Sequence, residues 1–237
     1  MAQQRCRNHI LSKLSRADFA LLEKHLEPLD LGLRLSLEER NRPIEQVYFL
    51  ETGLASVVAV SGHEQVEAGI IGREGVTGVS VIMGDDRSIN ATYMQIAGAG
   101  FRMEADHLRE AMQKSLSLQT VLLHFVQAFM AQMAHTALAN GRAKVEVRLA
   151  RWLLMAHDRV DSDELSLTHE FLALMLGVRR AGVTTALHAL EEQALVSVKR
   201  AAVVVEDRAG LVRFADTIYG VPEAEYCRLI GWTPSAK

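Results

Sequence analysis

Arg179, Arg180, Gly182, Thr184, Thr185 and His188 fall within ten residues of one another, and Lys199-Arg200 follows shortly after. All are small, polar or cationic, the types that reach phosphate oxygens and base edges without blocking entry to a nucleic-acid groove. The surrounding residues predict how they are held. Thr168 can cap a helix in which Phe171, Leu172, Met175 and Leu176 recur at helical spacing, while Ala173 is small enough for a second helix to cross closely. Gly177 permits a turn, Val178 fills the angle, and a helix from about Arg180 puts Val183, Leu187 and Leu190 on its buried side. The segment Ser166–Leu195 therefore reads as a helix-turn-helix. Leu195–Glu206 reads as two β-branched strands around a Lys199-Arg200 tip, a wing whose cations suit phosphate. The expected DNA-binding set is Thr168, Arg179, Arg180, Gly182, Thr184, Thr185, His188, Lys199 and Arg200. Many ordinary helical hairpins share the pattern.

The remaining chain supplies the elements around this motif. After a helix near Arg16–Leu26, brief apolar stretches at Val47–Glu51, Leu54–Val60, Gln65–Ile71 and Asn90–Ile96 read as strands broken by glycines, with Ser61-Gly62-His63 as a hairpin turn. Such spacing predicts a small all-β barrel or jelly roll. A helix over Glu104–Lys114 precedes a longer one from about Ser117 to Asn140. There Leu118, Leu122, Phe125, Phe129, Met133 and Thr136 step by fours and threes, a seam able to pair with a second copy. The predicted class is α+β: a β-roll or jelly roll over 1–116, a dimerisation helix over 117–141 and a winged helix-turn-helix over 142–237.

Composition limits the functions open to the chain. Its 237 residues are 49% hydrophobic with a net charge of −3, enough to bury a core. Residues 142–237 carry 13 basic and 13 acidic side chains, so DNA binding requires a local positive face built from Arg179, Arg180, Lys199 and Arg200. No run of 18 uninterrupted apolar residues and no apolar export segment is seen, and the expectation is a cytoplasmic protein without membrane contact. Cys6 and Cys227 are read as reduced thiols, with Arg228 beside Cys227 leaving a redox role open. No nucleophile elbow, P-loop or metalloprotease helix occurs, and Glu38-Glu39, Asp85-Asp86 and Glu191-Glu192 read as solvated faces or turns, so no enzyme is assigned.

In this order, a glycine-rich β domain, a long helix and a winged helix-turn-helix resemble the Crp/Fnr family of transcription regulators over nearly the whole chain. Leu167–Ala173, Leu176–Arg180 and Leu190–Val196 look like its helix-turn-helix signature, Pro43–Ala55 resembles its entry strand and glycine turn, and Val145–Leu154 is similar to the helix opening its DNA-binding domain. The resemblance implies a homodimer on a two-fold site in double-stranded DNA, with RNA polymerase as a partner. Where many members carry Arg, Glu and Arg along the reading face, this sequence has Arg180, Ala181 and Thr185, so its half-site should differ from the best-known one.

The resemblance also locates an effector pocket, at Glu74, Thr77, Arg87 and Ser88. Arg87 and Ser88 match the phosphate-binding pair of cyclic-AMP binders, whereas the ribose glutamate falls on Thr77, with Glu74 nearby, and the helix positions fall near Met133 and Ala134. These changes argue against cyclic AMP. Two cysteines cannot supply the roughly four ligands of an iron–sulfur cluster, and His63, His107, His124 and His135 form no recognised haem or metal motif, so no metal or cofactor is expected. The alternative is a non-catalytic ligand-binding or protein-interaction module whose winged helix contacts protein.

Overall fold

The computed structural model describes Gln3 and residues 6–234. Two short helices, α1 (His9–Lys13) and α2 (Arg16–Glu23), lead into strands β1 (Glu27–Leu31), β2 (Ser36–Glu38), β3 (Gln46–Leu50), β4 (Leu54–Ser61) and β5 (Glu64–Ile71). A helical turn, α3 (Val79–Ile82), separates these from β6 (Ala91–Ile96) and β7 (Gly98–Glu104). The strands form two antiparallel sheets, ordered β1-β7-β3 and β2-β6-β4-β5. The β4–β5 hairpin closes where the Ser61-Gly62-His63 turn is expected.

The helical part follows as α4 (Ala105–Lys114), α5 (Leu116–Arg142) and α6 (Val145–His157). Then come β8 (Glu164–Leu165), α7 (His169–Leu176), α8 (Arg180–Glu191), β9 (Val196–Lys199), β10 (Ala202–Val205), α9 (Arg208–Ala215) and α10 (Val221–Ile230). The short strands pair as β8-β10-β9, giving the hairpin wing a third strand from the chain entering the helix-turn-helix.

By length and composition α5 could cross a bilayer; here one of its faces packs into the core. Leu118, Leu122, Phe125 and Phe129 are buried against the β-roll, and Met133 and Thr136 are half-buried. The seam expected to meet a second copy therefore faces its own protomer. The outward face carries a second heptad stripe, Leu116, Thr120, Leu123, Gln127, Met130, Ala134, Ala137 and Gly141, every member exposed. A helix with apolar residues on two faces offers two candidate seams, and the one bearing the phenylalanines is buried inside the protomer.

Buried Gln132 shows how closely α5 meets the sheet. Its Oε1 accepts from the Ile70 N–H at 2.7 Å, and its Nε2 donates to the Ile70 carbonyl at 3.2 Å and to the Tyr226 hydroxyl at 3.1 Å. The amide thus satisfies backbone groups of β5, an edge strand, which otherwise would lie unpaired in an apolar setting. Gly69 permits the approach, since a Cβ there would come 2.9 Å from the Phe129 ring.

The C-terminal segment closes the core. Tyr226 of α10 is fully buried beside Phe125, and its ring meets Trp232 edge-on at 5.6 Å. Arg159, also fully buried, stacks its guanidinium on both rings and pairs with Glu74 at 2.8 Å. A second core joins Leu54, Val58 and Ile70 of the sheet to α6, α7, α8 and the wing. The expected sensor and DNA-binding parts therefore share an apolar interface.

Candidate nucleic-acid interface

The helix-turn-helix is assembled from local signals. Exposed Thr168 caps α7 by accepting from the Phe171 N–H at 3.2 Å. Gly177 ends α7 in the left-handed region, with φ of 59°, where a side chain would be strained. Leu172, Met175 and Leu176 pack against Val183, Leu187 and Leu190 in one core. Arg148 of α6 donates to the Leu176 carbonyl, satisfying an end of α7 that has no partner within its own helix.

The outward face of α8 carries Arg180, Ala181, Thr185 and His188, all exposed, with exposed Arg179 at its N-cap. Gly182 and Thr184 are half-buried. Thr184 turns toward α7, where its hydroxyl lies 3.1 Å from His169 Nδ1 and 3.2 Å from the Arg180 carbonyl. It braces the two helices, so its expected place among the outward residues is corrected: the i−4 carbonyl and His169 draw the side chain inward. Arg179 and Arg200 have no acidic partner among the described residues.

Three acidic residues shape this face in ways that counting charges missed. Glu170 pairs with Arg180 at 3.0 Å, and Glu164 of β8 pairs with Lys199 of β9 at 2.8 Å. The hydrogen bond to Glu164 raises the Lys199 pKa and keeps the ammonium protonated. Glu191, expected to be a solvated residue, accepts from the Val198 N–H at 2.7 Å and fixes the wing to the end of α8. The sequence signal was available in part: Glu170 lies ten residues before Arg180, on the helix that must pack beside it.

Behind the interface, polar bonds tie the two halves together. Glu67 of β5 is buried and accepts from Ser56 Oγ at 2.5 Å and from Trp152 Nε1 of α6 at 2.6 Å. Burial pushes its pKa up to about 7. Asp158 is held by Arg208 and by the Tyr219 hydroxyl at 2.8 Å, joining α6 to α9 and the turn before α10.

The expected effector residues each have partners within the chain. The Glu74 carboxylate holds Arg159, the Thr77 hydroxyl accepts from the Tyr48 N–H at 3.0 Å, and Ser88 Oγ accepts from the Asn90 N–H at 3.1 Å. Arg87 is exposed against Asp86 at 3.2 Å. Of the four, Glu74 is thus engaged inside the protein by the buried Arg159, and Arg87 stands apart at the surface. Cys227 is exposed and Cys6 buried; among the described residues no cluster of three histidine, cysteine, aspartate or glutamate side chains could hold a metal ion.

Comparison with known proteins agrees with this geometry. Residues 147–214 match the family model of the Crp-like helix-turn-helix domain. A transcriptional regulator of the Crp family from Thermus thermophilus superposes with a TM-score of 0.64 at 18% identity, covering 80% of this chain and 97% of that one. FixK2 from Bradyrhizobium japonicum gives 0.68 at 17% identity, covering 80% and 96%. The c-di-GMP responsive global regulator CLP of Xanthomonas campestris gives 0.62 at 16% identity, covering 81% and 100%. No curated protein sequence matches the chain. The chain therefore has the fold of Crp/Fnr-type transcriptional regulators and carries their helix-turn-helix domain.

Proposed function

We propose that the protein is a sequence-specific, non-catalytic transcriptional regulator of the Crp/Fnr type that binds two-fold DNA sites as a homodimer in the cytoplasm. The observation that carries this reading is the exposed outer face of α8, set on a winged fold within the segment matching the Crp-like domain. An α-helix of this kind fits the major groove. In this reading Arg180 reads a guanine, and Arg179 and the wing cations Lys199 and Arg200 hold phosphates. Contact with RNA polymerase follows from the same reading.

The exposed heptad on α5 supports the dimer. Leu116, Leu123 and Met130 are large, apolar and spaced by sevens on a helix of 27 residues, the pattern of a pairing seam. The roles then divide into a sensing part over 1–116, a pairing helix over 117–141 and a DNA-binding part over 142–237. Control by cyclic AMP is disfavoured by the pairing of Glu74 with Arg159.

Selection of bound DNA from a random pool, with and without cyclic nucleotides and under oxidising and reducing conditions, tests the reading. The expected result is enrichment of one two-fold sequence, unchanged by cyclic AMP. Failure to enrich any sequence would leave the winged helix as a protein-contact module.

A further inference from the structure

His169, the first residue of α7, is half-buried where that helix meets α8. Thr184 Oγ1 donates to the Arg180 carbonyl at 3.2 Å. A hydroxyl has one hydrogen to give, so toward His169 Nδ1, at 3.1 Å, the same oxygen accepts. That bond sets the neutral ring as the tautomer with its hydrogen on Nδ1. Nε2 is then left with a bare lone pair, takes no bond within the chain and is open to solvent.

Two ties put this ring at the edge of the reading face. Its neighbour Glu170 holds Arg180, and Thr184 stands one turn further along α8. No carboxylate pairs with the imidazole among the described residues. Glu170 is engaged by Arg180, Glu67 of β5 faces Ser56 and Trp152, and Arg148 of α6 reaches the opposite end of α7 at Leu176. His188, on the next turn of α8, already lies 3.5 Å from Glu191.

We propose that His169 is a proton-linked phosphate contact, in which Thr184 keeps the Nδ1 hydrogen occupied and the ring gains a donor for DNA only by taking a proton from solvent at Nε2. The first helix of a helix-turn-helix crosses the DNA backbone while the second lies in the groove. A phosphate oxygen only accepts, so the lone pair of the neutral ring opposes it and the imidazolium satisfies it. Thr184 is the positioning residue, since its hydroxyl decides which nitrogen holds the single hydrogen of the neutral form. The inference rests on the regulator reading.

The test follows binding of the full chain to the selected DNA site at fixed salt, with calorimetry in buffers of different ionisation heat to count the protons taken up. A histidine ordinarily titrates at about pH 6.5, so affinity should fall by about tenfold between about pH 6 and about pH 8, with net proton uptake on binding. His169→Gln, whose amide donates at any pH, should abolish the uptake and bind with nearly constant affinity at an unchanged melting temperature. His188→Gln should keep the uptake. Thr184→Val frees the hydrogen to move to Nε2 and should reduce it, while Thr184→Ser should retain it. No uptake by the native chain, uptake that persists in His169→Gln, or equal uptake in Thr184→Val and native would overturn the contact and leave the regulator reading standing. Absence of DNA binding at every pH would remove both.

Discussion

Arg180 Nη1 lies 3.0 Å from Glu170 Oε1, so the side chain best suited to read a guanine is held, away from DNA, by the first helix of its own hairpin. Both side chains are about two-thirds exposed, and such a pair contributes no more than about 1 kcal/mol. With one such pair in each subunit of the homodimer, Glu170→Gln should therefore tighten DNA binding by at most about thirtyfold, measured by fluorescence anisotropy on the selected site. Arg180→Ala should cost about 1–3 kcal/mol at one base position. A Glu170→Gln variant that bound DNA more weakly would show that the pair positions Arg180 for contact.

The two stripes of α5 predict opposite outcomes for the same chemical change. Leu123→Glu sits on the exposed heptad and should yield a folded monomer by analytical ultracentrifugation. Leu122→Glu places a charge among Leu118, Phe125 and the β-roll and should lower the melting temperature sharply, since a buried unpaired charge is among the costliest changes. A dimeric Leu123→Glu protein would move the pairing surface elsewhere.

These stripes also show what the sequence made legible. The helix-turn-helix was readable because Thr168, Gly177 and the apolar spacing are local signals, and β3 to β6 lie within a residue or two of their expected places. Besides the short β8, three strands of the β-roll carried no such signal. β1 (Glu27–Leu31) is mostly exposed, β2 spans three residues, and β7 begins Gly98-Ala-Gly100, so none shows a clean apolar alternation. Which face of α5 turned inward was not legible either, because both stripes follow the same spacing. The bonds of Glu67 with Trp152 and of Glu74 with Arg159 each span 85 residues, and no local pattern announces them.

Glu67 should make stability depend on pH. Burial raises its pKa from an ordinary 4.5 to about 7 in the folded chain. The folded state thus binds the proton more tightly than the unfolded state. The resulting stabilisation is fully present below pH 4.5 and is lost as pH rises through about 7. Glu67→Gln removes the titration and keeps one oxygen to accept from Trp152, while its amide N–H can donate to the Ser56 hydroxyl. Relative to native, the variant should gain stability between pH 4.5 and 7, by up to about 3 kcal/mol, read from urea unfolding across that range. A constant difference between the two proteins would contradict a titrating Glu67.

The C-terminal segment should be essential to the core. Tyr226→Ala removes a fully buried ring from between Phe125 and Trp232, and its expected cost is about 3–5 kcal/mol. Tyr226→Phe loses only the bond to Gln132 Nε2, about 1 kcal/mol. Both are measured by chemical denaturation, and a near-native Tyr226→Ala protein would mean that α10 is dispensable.

The salt dependence of DNA affinity tests the central claim most directly. Removing one cation from a phosphate should reduce the slope of log K against log salt by about one. In a homodimer Lys199→Ala should thus lower it by about two and weaken selected and random DNA alike, while Arg180→Ala weakens the selected site far more than random DNA. An affinity that ignores salt, or equal losses on both DNAs for Arg180→Ala, would contradict the account.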